Sequence, residues 1–297
     1  MLQKILVPLD GSQLGELALP YAIGITAALR TELNLVTVSE NREKENERAI
    51  SIYLDKIADQ LGNTLHKGND YPKIRVTIIH GRPADALVRY AIKYGTDLII
   101  MVSHGRSGIM PWSAGSTATR VIQKSQIPVL LIRAKDNNRT NIENNQFARI
   151  LLPLDGSSFG EAAIPLVKDL ALAFHSEVYL FRVVERIEHV YTIGGIDHFM
   201  FSDEQTKRTE AEVGIYLTQI SEQFTALGIK NRSISKTGDP AVEILKISKN
   251  ENISLVAMSS HGKNGITRWV LGSVSHKILQ AGGNPLLLVR PLYKNVT

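Results

Sequence analysis

The chain has no cysteine, only two tryptophans, and aromatics at 6% of its 297 residues. Without cysteine there are no disulfides, thiolate metal sites or cysteine nucleophiles. No apolar run approaches the ~20 residues of a membrane helix, so a membrane partner is not expected. The first residues run almost directly into an apolar segment with no charged-then-apolar leader, and the expected compartment is the cytoplasm. The formal net charge is +5, with most of the excess in the first half, yet its basic residues are interleaved with acids, as in Asn41–Ile50. A nucleic-acid surface would gather them into a stripe with interleaved aromatics, so nucleic acid is not an expected partner either.

What is present is present twice. Ile5–Ser12 (ILVPLDGS) returns as Ile150–Ser157 (ILLPLDGS). Ser103-His104-Gly105, nine residues, then Gly115-Ser116 returns as Ser260-His261-Gly262, nine residues, then Gly272-Ser273. Gly81–Leu87 (GRPADAL) has its counterpart in Gly238–Ile244 (GDPAVEI). Three matches in one order mean that a whole domain is duplicated. The boundaries expected are 1–135, a polar asparagine-rich linker at 136–147, and 148–297.

Within the first repeat, Lys4–Val7 reads as a buried strand ending at Pro8-Leu9-Asp10. Ser12 can cap a helix whose apolar face runs to Leu29, although Pro20 inside that face predicts a kink or a later start. Strands at Leu33–Val38, Ile74–Ile79, Leu98–Val102 and Pro128–Ile132 alternate with helices near 45–65, 84–94 and 116–124. This predicts an α/β fold of two tandem doubly wound domains, each a five-stranded parallel sheet with helices on both faces. The second repeat is longer by about a dozen residues around Arg186–Phe201, a loop with paired glycines and aromatics. It reads as a lid or partner contact, or equally as a longer surface crossover.

The repeated residues suit a nucleotide. Ligands of open parallel sheets bind beyond the carboxyl ends of the strands, where the winding reverses. If strands one and four are neighbours, Asp10 and the loop beginning at Ser103 face one crevice. A carboxylate there can accept hydrogen bonds from both hydroxyls of a ribose. Gly115-Ser116 opens a helix whose amides and dipole favour phosphate. Each part also has an ordinary role as a turn, a cap or a helix start. His104 and His261 could approach a phosphate, but no acid at suitable spacing orients either ring. Trp112 and Trp269 read as core or interface packing residues ahead of base-stacking ones, and Arg106 and Lys263 as phosphate-neutralising or solvent-facing.

In these motifs the chain resembles the universal stress protein family, specifically its tandem ATP-binding branch. The signature of that family is G-x-x-G, nine residues, then G-S or G-T. The resemblance implies a site in the second repeat formed by Pro153, Asp155, Val183, Ser259, His261, Gly262, Gly272, Ser273 and Val274. The counterpart in the first repeat is Pro8, Asp10, Val38, Val102, His104, Gly105, Gly115, Ser116 and Thr117. The aspartates would hold ribose, the valines at 38 and 183 would meet adenine through the main chain, and the glycines and serines would surround phosphates. Final strands of the family often pair across a two-fold axis, which implies pairing of Val129–Ile132 with Leu286–Val289 in this chain, or a homodimer.

The first signature glycine is replaced by Val102 in one repeat and Ser259 in the other. A β-branched residue hinders close approach, whereas serine is small and can hydrogen-bond. The second site is therefore expected to bind the tighter. The function expected is sensing or sequestering of ATP, or of AMP or ADP, with Mg²⁺ accompanying ATP and with at most slow hydrolysis. No P-loop lysine, arginine finger or water-activating base stands out. The alternatives are an interaction module that has lost nucleotide binding and a nucleotide-processing enzyme of related fold.

Overall fold

Ile5, Leu6 and Val7 are all completely buried in strand β1 (Lys4–Pro8). Successive strand residues face opposite ways, so both faces of the sheet must be covered. The computed structural model describes residues 2–40, 43–65, 73–103, 116–133, 146–184, 188–193, 196–201, 203–262 and 271–291.

After β1 come α1 (Gln13–Glu16), α2 (Leu19–Leu29), β2 (Glu32–Ser39), α3 (Lys44–Leu65), β3 (Ile74–His80), α4 (Pro83–Lys93), β4 (Leu98–Val102), α5 (Ser116–Lys124) and β5 (Val129–Ile132). The second repeat runs β6 (Arg149–Pro153), a 3-10 turn (Gly160–Ala163), α6 (Ile164–Phe174), β7 (Glu177–Val184), β8 (Glu188–Ile193), β9 (Ile196–Phe201), α7 (Asp203–Thr225), β10 (Asn231–Thr237), α8 (Pro240–Asn250), β11 (Leu255–Ser259), α9 (Ser273–Ala281) and β12 (Leu286–Val289). Pro20 decides where the second helix starts. It sits in the first turn of α2, where its missing N–H is not needed, and a separate short α1 precedes it.

The strands form one ten-stranded sheet in the order β10-β7-β6-β11-β12-β5-β4-β1-β2-β3. Each half is parallel, and the halves meet where β5 pairs antiparallel with β12. The register there sets Leu130 opposite Leu287, with Leu131 opposite Leu286 and Val129 opposite Leu288. Alternate strand residues divide between two cores that run through both halves. Ile5, Val7, Leu130, Leu152 and Leu287 pack with α2, α3, α6 and α7 on one face. Leu6, Leu131, Leu151 and Leu288 pack with α4, α5, α8 and α9 on the other. Each such aliphatic side chain contributes about 1.5–3 kcal/mol by leaving water.

Phe147, in the stretch between the repeats, is fully buried and meets Tyr21 and Phe174 edge-on. The long insertion of the second repeat is a hairpin rather than an irregular loop. β8 and β9 pair antiparallel from Glu188↔Phe201 to Ile193↔Ile196. Gly194 and Gly195 between them lie outside the described residues.

Candidate functional site

β1 lies between β2 and β4, and β6 lies between β7 and β11. The winding therefore reverses beside β1 and beside β6, and in each repeat the acid after the first strand faces the end of the fourth. In the second repeat the acid is held firmly. Asp155 Oδ1 accepts hydrogen bonds from the Ser157 amide at 2.9 Å and the Ser157 hydroxyl at 2.7 Å. Ser157 Oγ in turn accepts from the Gly160 amide at 3.0 Å. The first repeat repeats this relay: Ser12 donates to Asp10 Oδ1 through its amide (3.0 Å) and hydroxyl (2.5 Å), and Gly15 donates to Ser12.

The other oxygen of Asp155 closes on the loop after β11. A Cβ at Gly262 would stand 2.5 Å from Asp155 Oδ2. Only a residue without a side chain lets the carboxylate and that backbone share the space. The loop itself is pinned at its base. Gly272 donates its amide to the Ser260 carbonyl at 2.9 Å, and Ser275 Oγ donates to the carbonyls of Ser259 (3.1 Å) and Ser260 (3.4 Å). Gly272 is the N-cap residue of α9, so the amides of Ser273 and Val274 open that helix at the crevice. His261 is buried, and its Nδ1 lies 2.8 Å from Ser260 Oγ.

Ser259 and Val102 occupy equivalent strand ends and behave differently. Ser259 Oγ accepts from the His261 amide at 3.3 Å, so its hydroxyl shapes the loop. Val102 is as buried as Ser259, at 7% against 5% exposed, and pairs with Ile132 as Ser259 pairs with Val289, but its aliphatic side chain joins the apolar core. In the first repeat Ser116 opens α5 and Thr117 follows it. His104, Gly105 and Gly115 lie outside the described residues, as do Arg106, Trp112, Lys263 and Trp269.

Backbone alternation aims Val38 and Val183 at the crevices. The Val36 carbonyl accepts from Leu9, and the Ser39 carbonyl accepts from Gly81 on the opposite side. Val38, two residues beyond Val36, turns its peptide groups toward β1, past the point where β1 ends. The same holds for Val183, since Phe181 accepts from Leu154 and Val184 from Gly238. Pro8 and Pro153 end β1 and β6 beside these positions, opposite Val36 and Phe181.

Several residues at the site escaped motif reading. Tyr53 donates to Glu16 Oε1, and Tyr216 to Glu161 Oε1, each at 3.0 Å. Burial first, then the neighbouring Glu161, pushes the Tyr216 phenol well above its ordinary value. Arg182 stacks on the Tyr216 ring, its Cζ 4.9 Å from the centroid. A signal existed: the match between repeats continues beyond Asp-Gly-Ser to Gly15-Glu16 and Gly160-Glu161.

The sequence profile of the universal stress protein family matches residues 1–133 and 146–290. The chain belongs to that family. Its two family segments stand in tandem, and the Asp–Ser–Gly relay after the first strand recurs once in each. Among its relatives, a Bacillus subtilis universal stress protein is 31% identical over 149 residues, covering 48% of this chain and 99% of the relative. A Mycobacterium tuberculosis universal stress protein is 24% identical over 217 residues, 73% of this chain and 69% of its own. The architecture is shared more widely than the sequence. An Archaeoglobus fulgidus universal stress protein superposes with a TM-score of 0.66 at 20% identity, covering 97% of this chain and 98% of its own. A Pseudomonas aeruginosa protein assigned to the same family gives 0.72 at 15% identity, covering 98% and 94%.

Proposed function

We propose that this universal stress protein binds an adenine nucleotide in the crevice between β6 and β11 and acts as a cytoplasmic regulator that senses or sequesters it. The observation that carries this reading is the closure of Asp155 against Gly262, which sets a fixed carboxylate beside a glycine loop and a helix start. Asp155 would accept from the ribose hydroxyls, the Val183 main chain would meet the base, and Pro153 would border it. Gly262, Gly272, Ser273 and Val274 would surround the phosphates, with Ser259 and His261 shaping the loop. Four or five charge-assisted hydrogen bonds, less the ordering cost, support micromolar affinity, about 8 kcal/mol.

The site of the first repeat is the weaker partner, built on Asp10, Val38, Ser116 and Thr117, with the β-branched Val102 where the second repeat has Ser259. For that repeat alone, a packing or interaction role is the second reading, and the β-branched Val102 in place of Ser259 favours it. ATP is the ligand of choice, with AMP or ADP as alternatives. Among the described residues no group of three or more His, Asp or Glu is placed to hold a metal ion. Mg²⁺ would thus arrive on the phosphates rather than in a protein cage. Hydrolysis is at most slow, and a steady-state rate above about 1 s⁻¹ would overturn that part. The Leu130–Leu287 pairing would supply within one chain the two-fold contact that the family resemblance implies.

Denaturing the purified protein and identifying released nucleotide by chromatography and mass tests the reading. About one adenine nucleotide per chain is expected. A protein that carries none, and binds none when ATP is added, would overturn it.

A further inference from the structure

Arg182 has no like residue in the first repeat. It stands in β7 immediately before Val183, where β2 has Thr37 before Val38. Its guanidinium lies flat against the turn after β6. A Cβ at Gly156 would meet its Nη1 at 2.6 Å and its Cζ and Nη2 at 2.7 Å. Its Cζ also lies over the Tyr216 ring, 4.9 Å from the centroid, and the Tyr216 hydroxyl is anchored on Glu161.

Gly156 is the middle residue of Asp155-Gly156-Ser157, with φ +79°, and this is the turn that orients Asp155. The wedge therefore runs from α7 through Tyr216 and Arg182 to the backbone beside the acid. A planar guanidinium suits the place, since it can lie on backbone on one side and an aromatic ring on the other; a lysine cannot. In the first repeat the matching Thr37 hydroxyl instead donates to the Leu9 carbonyl at 2.8 Å, one residue before Asp10.

We propose that Arg182 is a positioning residue for ribose recognition in the second repeat: held between Gly156 and Tyr216, it fixes the Asp155 turn so that the carboxylate meets both ribose hydroxyls. The inference rests on the nucleotide reading above. It goes further in making the preference for ribose over deoxyribose depend on a residue that does not touch the ligand.

The test is titration of the full-length chain with ATP and with 2′-deoxy-ATP, for the native protein, Arg182→Thr and Arg182→Lys. The melting temperature of each variant is recorded first, and the tighter site is read. Native protein prefers ATP. Arg182→Thr, which installs the residue of the first repeat, loses about tenfold in ATP affinity, the worth of one charge-assisted hydrogen bond, and under about twofold in deoxy-ATP affinity. Arg182→Lys, with charge but no plane, falls between. If both nucleotides weaken together in either folded variant, Arg182 serves the fold alone and the proposal fails. It fails equally if neither weakens. If native protein binds neither nucleotide, the nucleotide reading falls and takes this one with it, a result distinct from the other two.

Discussion

Arg133 and Arg290 clamp the two repeats reciprocally, each reaching from the end of its own last strand to the end of a helix in the other repeat. Arg133 Nη2 donates to the Ile278 carbonyl at 3.0 Å and its Nε to the Asn284 carbonyl at 3.4 Å. Arg290 Nη1 donates to the carbonyls of Gln123 (3.1 Å) and Ser125 (3.2 Å). A cation suits the last carbonyls of a helix, where the dipole is negative. The helices so clamped are α5 and α9.

The clamp is unequal because burial is unequal. Arg133 is 7% exposed, whereas the bond from Arg290 to Gln123 is at the surface. Arg133→Met should cost about 2–3 kcal/mol, the value of a charge-assisted bond whose loss strands buried carbonyls. Arg290→Met should cost under about 1 kcal/mol. Urea unfolding at constant m-value measures both, and equal losses would show that burial does not set the difference.

Gly262→Ala should lower nucleotide affinity by about tenfold or more, because the new methyl and Asp155 Oδ2 cannot both keep their places. The fold should barely respond, as Gly262 lies on a loop at the rim. Paired titration and thermal melting separate the two effects. Unchanged affinity in a folded variant would mean that the loop yields without disturbing the acid.

Asp239 caps α8 by accepting from the Val242 amide at 3.0 Å, and it pairs with Lys277 on α9 at 3.0 Å. The Val242 amide first, then Lys277, holds its carboxyl below the ordinary 3.8. A depressed value means that the charged form favours the fold. The contribution is complete above the ordinary value and is lost as pH falls through the folded one. Asp239→Ala should cost about 1 kcal/mol at neutral pH and progressively less in acid below that value. Denaturant midpoints across acid pH would show the two proteins converging; a constant gap would assign the loss to something other than the charge.

Tyr216 carries the opposite sign. Its phenol titrates above the ordinary 10.0, so its contribution is complete below that pH and is lost as pH rises toward the folded value. Tyr216→Phe should cost about 1 kcal/mol at neutral pH and steadily less in alkali. Alkaline melting curves that run parallel instead would remove the Tyr216–Glu161 bond from the account.

The strands were legible because burial on both faces leaves near-continuous aliphatic runs. β4 and the end of α5 fall where the apolar pattern places them, and Pro20 announces the late start of α2. Asp155, Gly262 and Gly272 were legible because duplication marks them twice. Arg182 was not, since its partner is Thr37 and a repeat comparison rewards sameness. Tyr216 was hidden for another reason: it comes from α7, distant in sequence, and only packing brings it beneath Arg182. The hairpin β8–β9 was missed as structure because it has no counterpart in the first repeat to set its period.

The most direct test of the central claim is ATP titration of full-length protein carrying Asp155→Asn or Asp10→Asn. Removing the charge that accepts from ribose should weaken the tight site at least about tenfold in Asp155→Asn and leave it intact in Asp10→Asn. A tight site that survives Asp155→Asn and disappears with Asp10→Asn would contradict the account, because the nucleotide would then be held by the repeat that carries Val102 where the other has Ser259.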